Sequence, residues 1–220
     1  MSITLYWGSG SPVSWRVQVA LALKGVEVAS HRLDLSSREH RTPAYLALNP
    51  KGTFPLLVDG DVIIRESLAI LAYLDRKFPA PALFGETPRR YAMTWQGVLE
   101  HDAGMAARVD AVTRAVFRDR PPDDLTSARE ALDALAVDLR DLDAVLANTV
   151  WLGGREPSAL DVVHYPTVHR LLRASKKPRF ADLAGERMAT PLAHCPALAG
   201  WLAAMAGCPG VDETYPPHWR

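Results

Sequence analysis

The stretch Asn49-Pro50-Lys51-Gly52-Thr53-Phe54-Pro55-Leu56-Leu57-Val58-Asp59-Gly60-Asp61-Val62-Ile63-Ile64-Arg65-Glu66-Ser67-Leu68 decides the fold. Leu56-Leu57-Val58 and Val62-Ile63-Ile64 are short apolar runs, and the Asp59-Gly60 pair between them predicts a tight reversal and a β-hairpin. A helix follows, with Ser67 as N-cap and Leu68, Leu71, Leu74 and Phe78 on one apolar face. An aromatic residue before proline favours a cis peptide at Phe54-Pro55. That would turn the Phe54 main chain outward as an edge for an extended peptide. The free N–H groups at the helix start, beside the Ser67 hydroxyl, suit a carboxylate, and Glu66 suits an amine.

Upstream, Ile3-Thr4-Leu5-Tyr6-Trp7 reads as a strand and Gly8-Ser9-Gly10 as a loop. Ser11 as N-cap and Pro12 at the first helical position open a helix that Gly25 stops. Val26 to Leu33 supplies a second strand, parallel to the first through a right-handed crossover. Ser36 to Tyr45 reads as a polar loop with one short helix. Strand, helix, strand, variable segment, hairpin, helix is the thioredoxin-like order.

These residues carry a resemblance. Asn49-Pro50-Lys51-Gly52-Thr53-Phe54-Pro55, then Asp59-Gly60 and Glu66-Ser67-Leu68-Ala69-Ile70, resemble the glutathione-binding segment of cytosolic glutathione transferases. The resemblance implies that Thr53, Phe54 and Pro55 hold the cysteinyl backbone of glutathione and that Glu66 and Ser67 hold its γ-glutamyl end. Gly8 to Val17 is similar to the serine-type segment, tau and phi types above all, in which a serine five residues before an arginine points at the sulfur; Ser11 and Arg16 match. Ser14-Trp15-Arg16-Val17 also resembles the zeta type. Zeta isomerases, however, carry Ser-Ser-Cys where this chain has Ser11-Pro12-Val13, which speaks against maleylacetoacetate isomerisation. Glu39-His40-Arg41-Thr42-Pro43 resembles phi and theta types, implying that His40 and Arg41 grip the glycine carboxylate.

The implied chemistry needs a thiolate, and a free thiol has a pKa of about 8.5. A hydroxyl donor at a helix N-terminus stabilises the anion by about 1.5–3 kcal/mol, equivalent to one to two pKa units. Ser11 then acts as a donor and not as a covalent nucleophile. Tyr6 is its main rival, with Ser14 and Ser9 behind it. No cysteine opens the first helix, so disulfide exchange through an enzyme thiol is not expected.

Pro79-Ala80-Pro81 and Gly85 to Pro88 read as a linker, after which the composition turns helical. One long helix is predicted from Arg89 to Phe117, broken by Pro121-Pro122-Asp123-Asp124. Ser127 to Glu130 has capping-box form, and Leu132, Leu135, Leu139, Leu142 and Leu146 form a core stripe. Ser158 to Asp161 is a second capping box with a folding role; Asp161→Ala is expected to cost about 0.5–2 kcal/mol. A last helix runs from Pro196 to Ala206, and no strand is predicted in this half. His164 and His169 lie five apart without a carboxylate partner, so no metal is expected; the adjacent His194 and Cys195 do not predict a dyad.

The 220 residues, with 25 basic and 25 acidic side chains in no long block, give no electrostatic support for nucleic acid or an anionic membrane. No leader or long apolar run is evident, and Cys195 and Cys208 read as reduced thiols, so the expectation is a cytoplasmic protein. The reading is a thioredoxin-like domain (βαβαββα) over 1–80 and an all-helical bundle domain over 86–220, pairing as a homodimer. Glutathione would be co-substrate, with no cofactor. A hydrophobic electrophile would meet its sulfur around His101, Met105 and Arg108, with Trp219 on the tail lining the groove. Transfer to that electrophile, with peroxidase activity beside it, is the expected reaction. The alternative is a catalytically idle relative that binds ligands or proteins.

Overall fold

The computed structural model describes residues 3–118, 125–185, 188 and 190–220, which form two compact units, Met1–Phe84 with Cys208–Arg220, and Gly85–Gly207. The predicted break at residues 121–124 lies outside the described residues. Among them, no helix is long and apolar enough to cross a membrane.

The first unit holds a mixed four-stranded sheet in the order β2-β1-β3-β4, built from β1 (Thr4–Trp7), β2 (Ala29–Arg32), β3 (Leu56–Asp59) and β4 (Val62–Arg65). β2 runs parallel to β1, β3 runs antiparallel to β1, and the β3-β4 hairpin is antiparallel. With α1 (Pro12–Leu23), a short 3₁₀ turn (Glu39–Arg41), α2 (Pro43–Leu48) and α3 (Ser67–Lys77), this is the thioredoxin-like arrangement. Alternation along β1 sorts the core: Leu5 packs with Val17, Leu21, Leu57, Ile70 and Leu74, whereas Tyr6 packs with Leu33, Tyr45, Leu56 and Phe54.

Two local readings shift. Asp59 pairs with Val62, so Gly60 and Asp61 form the hairpin turn, and Gly60 takes the positive φ of 64°. The Asp59 carboxylate stays with β3 because Tyr73 and Lys77 of α3 donate to it, which holds its pKa below the ordinary carboxylate value. Ser67 is the first helical residue rather than the N-cap; Glu66 occupies that position without a side-chain cap bond.

The tail is the larger correction, since the last thirteen residues belong to the first unit and not to the helical one. Trp15 of α1 explains it: its Nε1 donates to Thr214 Oγ1 at 2.7 Å, and its ring meets those of Tyr215 and Trp219 edge-on at 5.2 and 5.6 Å. Another unforeseen tie is Lys24, whose buried ammonium donates to Asp75 Oδ1 (2.9 Å), Phe78 O (2.7 Å) and Pro81 O (2.7 Å). Three donors thus find three acceptors, and the chain leaving α3 is pinned beneath α1.

The second unit is helical. The predicted long helix is α4 (Pro88–His101), a π turn (Asp102–Ala106) and α5 (Ala107–Phe117). α6 (Thr126–Leu146) starts before Ser127, with Leu125 at the N-cap and no side-chain cap bond, so the first supposed capping box lies inside the helix. Its stripe buries Leu132, Leu135, Leu139 and Leu146. α7 (Ala159–Ser175), α8 (Pro178–Ala184), which the sequence did not foretell, and α9 (Pro196–Ala206) complete the unit.

On α7, burial drives the His169 pKa from 6.5 down to about 4, and Lys176 adds repulsion. The unfolded imidazole gains its proton near pH 6.5 and the folded one only near 4. Stability should therefore be full above pH 6.5 and fall by roughly 3 kcal/mol as pH drops to 4. Urea midpoints across that range should show the slope in the native chain and a flatter line for His169→Gln; equal slopes would exclude His169 as the cause.

Candidate active site

The Ser-Pro start of α1 fixes the first element of the site. Ser11 has extended backbone (φ −87°, ψ 117°), its Oγ accepts from Ser14 N at 3.4 Å, and its own N–H donates to Gly8 O at 3.2 Å. The hydroxyl is half-buried, and the first turn of α1 contains no acidic side chain to offset the positive helix end beside it. The rivals are differently employed. Ser14 is fully buried and accepts from Gly8 N at 3.3 Å, Ser9 Oγ lies 3.3 Å from His218 Nδ1, and the Tyr6 ring packs against His31 and Tyr45 at 4.9 and 5.9 Å.

The second element is the loop before β3. Asn49 is fully buried and donates from Nδ2 to Thr53 O at 2.7 Å and to Thr53 Oγ1 at 3.2 Å, while the Tyr45 hydroxyl donates to the same carbonyl at 2.7 Å. Thr53 is thus already held by the protein. Phe54-Pro55 is cis, and Phe54 precedes the first paired residue of β3, Leu56, so its main chain lies outside the ladder. The Phe54 ring covers Gly8: a Cβ on Gly8 would lie 2.4 Å from Phe54 Cε2. Only glycine permits that approach, which brings the loop against the turn leading to Ser11.

His40 meets the Phe54 ring edge-on at 5.8 Å, and its buried Nδ1 has no hydrogen-bond partner among the described residues. Arg41 donates from one guanidinium nitrogen to Lys51 O at 3.3 Å and packs over Gly52, which has φ 59°. This bracing contact of Arg41 was not legible from residue order, because it depends on how the loop folds back on itself.

Glu66 forms the third element, with φ 68° and ψ 119°. A left-handed φ on a non-glycine residue costs of the order of 1–3 kcal/mol and persists where the surroundings impose it. Its exposed carboxylate is 3.1 Å from Lys51 Nζ, a cation to which the sequence reading assigned no role. Ser67 is buried, and the first turn of α3 has no acidic residue, leaving its initial N–H groups open to an anion.

The residues expected around the electrophile are placed otherwise. His101 is buried with Nε2 3.1 Å from Thr167 Oγ1, and Met105 is buried too, so both serve the interior rather than an open pocket wall. Arg108 is half-exposed and paired with both Asp138 oxygens at 2.8 and 2.7 Å. Trp219 is enclosed at 8% exposure on Trp15. No group of three His, Cys, Asp or Glu among the described residues could hold a metal. Cys195 is buried, which pushes its thiol up, away from reactivity.

Residues 1–76 match the family described as Glutathione S-transferase, N-terminal domain. Glutathione S-transferase 1 of Dianthus caryophyllus is 45% identical over 92 residues, covering 42% of this chain and 42% of its own. Maleylacetoacetate isomerase of Pseudomonas aeruginosa is 31% identical over 212 residues, covering 88% of this chain and 95% of its own. The chain belongs to the glutathione transferase family. A glutathione S-transferase from the Antarctic clam Laternula elliptica, solved by crystallography, covers 100% of this chain and 94% of its own with a TM-score of 0.81 at 27% identity. For a glutathione transferase, the Ser11 cap, the Phe54 main chain and the Glu66-Ser67 corner all fall inside the matched residues.

Proposed function

We propose that this glutathione transferase is of the serine type and activates the thiol of glutathione for attack on a small hydrophobic electrophile. The single observation that carries the reading is the closure of Phe54 on Gly8, which brings the unpaired main chain ahead of β3 beside the turn that bears Ser11. An extended cysteinyl unit laid on Phe54 then has its sulfur near that hydroxyl. The γ-glutamyl amine would pair with Glu66, and its carboxylate would take the open N–H groups of α3 and the Ser67 hydroxyl, with Lys51 adding charge. The glycine carboxylate would reach His40, while Arg41 holds the loop.

Ser11 acts as donor to the thiolate. The proton leaves to solvent, the sulfur lone pair forms the new bond to carbon, and a halide leaves or an activated alkene takes up the electrons. Two electrons and one proton balance in each case. Pairing as a homodimer in the cytoplasm belongs to the same reading. The Pseudomonas relative, a maleylacetoacetate isomerase by name, adds that isomerisation to the reactions to be tried, against the Ser-Pro-Val departure at residues 11–13.

Calorimetric titration with glutathione, followed by turnover on a panel of aryl halides, hydroperoxides and a cis-configured unsaturated diketo acid, tests this. Saturable binding with turnover on at least one member is expected. Binding without turnover on any would turn the reading to the idle binding module, and no binding would end it.

A further inference from the structure

The tail returns to the first unit at the turn that carries Ser11. Trp15 stands four residues after Ser11 on α1 and is 1% exposed; it anchors Thr214, Tyr215 and Trp219. Arg220 closes the segment, donating to Asp212 O and Oδ2 at 3.0 and 2.9 Å. The anchored tail presents the His218 ring to Gly10: a Cβ there would lie 2.9 Å from His218 Nε2 and 3.0 Å from Trp219 Nε1. Gly10 also has φ 77°, so both backbone and space require glycine at the residue before Ser11. One residue earlier, Ser9 Oγ is 3.3 Å from His218 Nδ1.

We propose that His218 is a positioning residue for the Ser11 hydroxyl, because its ring closes on Gly10 and its Nδ1 meets Ser9 Oγ in the turn that leads into α1. The segment ending the chain thereby sets the geometry of the residue that faces the thiol. The inference rests on Ser11 being the thiolate donor. It extends that reading by adding a residue 207 positions away in sequence whose side chain reaches the site only through the turn.

His218 is exposed, so its replacement should leave the fold intact. The contact at stake is the one to Ser9 Oγ, a single hydrogen bond in magnitude, so His218→Ala should lower kcat about three- to ten-fold with KM for glutathione within about twofold, and raise the pKa of bound thiol accordingly. His218→Asn, whose amide occupies the Nδ1 position, should restore most of both. Hydrogen exchange of the Gly8–Ser11 amides reads the same contact without glutathione and should quicken in His218→Ala alone. Exchange unchanged in that variant overturns the tail's hold on the turn. Faster exchange with an unmoved thiol pKa overturns the positioning role. A native chain showing no thiolate band at all would instead remove the glutathione reading, while the exchange result still decides the contact.

Discussion

Replacing Ser11 with alanine is expected to lower kcat/KM about 10- to 100-fold while leaving glutathione affinity within about twofold, because one charge-assisted hydrogen bond worth about 1.5–3 kcal/mol is lost. In the proposed pose the tripeptide would be held by its two carboxylates, its amine and its main chain, none of which bonds to this hydroxyl. Loss should therefore appear in kcat with KM little changed, as befits an interaction made chiefly to the anion. The cap bond lost with the hydroxyl, from Ser14 N at 3.4 Å, is long, and Ser14 N keeps its backbone bond to Ser11 O at 3.1 Å. Stability should change by no more than about 1 kcal/mol. Steady-state kinetics with a reactive aryl halide checks both. A comparable fall in glutathione affinity would mean that the hydroxyl holds the tripeptide rather than the thiolate.

Asp161→Ala is expected to cost about 3–5 kcal/mol, well above the value of an ordinary cap, because several enclosed donors lose their shared acceptor at once and each stranded group costs about 1–3 kcal/mol. The Asp161 side chain is fully enclosed and accepts from Leu152 N (2.8 Å), Gly153 N (3.4 Å), Ser158 N (2.8 Å), Ser158 Oγ (2.9 Å) and Trp201 Nε1 (2.8 Å). The capping box of α7 is thus also the point where the turn at Leu152-Gly153 and the indole of α9 are tied together. Truncation strands five donors, several in the interior. Denaturant unfolding of the variant should show a greatly lowered midpoint or a chain that fails to fold at 37 °C. A loss below about 2 kcal/mol would return Asp161 to the role of a simple cap.

What the sequence disclosed and what it hid divide along physical lines. Features set within a few residues were legible: the β3-β4 hairpin from two apolar runs about a glycine, the start of α1 from Ser11-Pro12, and the start of α7 from Ser158 and Asp161. The proposed thiol site is built on them. Features set by packing were not. Glu66 adopts a left-handed backbone although nothing in its side chain favours one. Lys24 looks like an ordinary surface lysine before Gly25, yet it is buried because three acceptors converge on it from sixty residues downstream or less. Ser127 looked like a cap and lies within α6, since the helix gains its apolar face from Ala128 onward and extends back past the serine. His101 and Met105 read as one accessible helical face, but the π turn at Asp102–Ala106 resets the register there and both side chains are enclosed. The tail escaped for the same reason: only the position of Trp15 in space explains why Tyr215, His218 and Trp219 fold back.

The most direct measurement is the pH titration of bound glutathione by its thiolate absorbance, in the native chain and in Ser11→Ala. If a hydroxyl at the start of α1 stabilises the sulfur anion, the native complex should ionise about one to two units below the free thiol's value of about 8.5, and the variant should revert towards it. Identical titrations in the two proteins would contradict the assignment and pass the task to Tyr6 or Ser9.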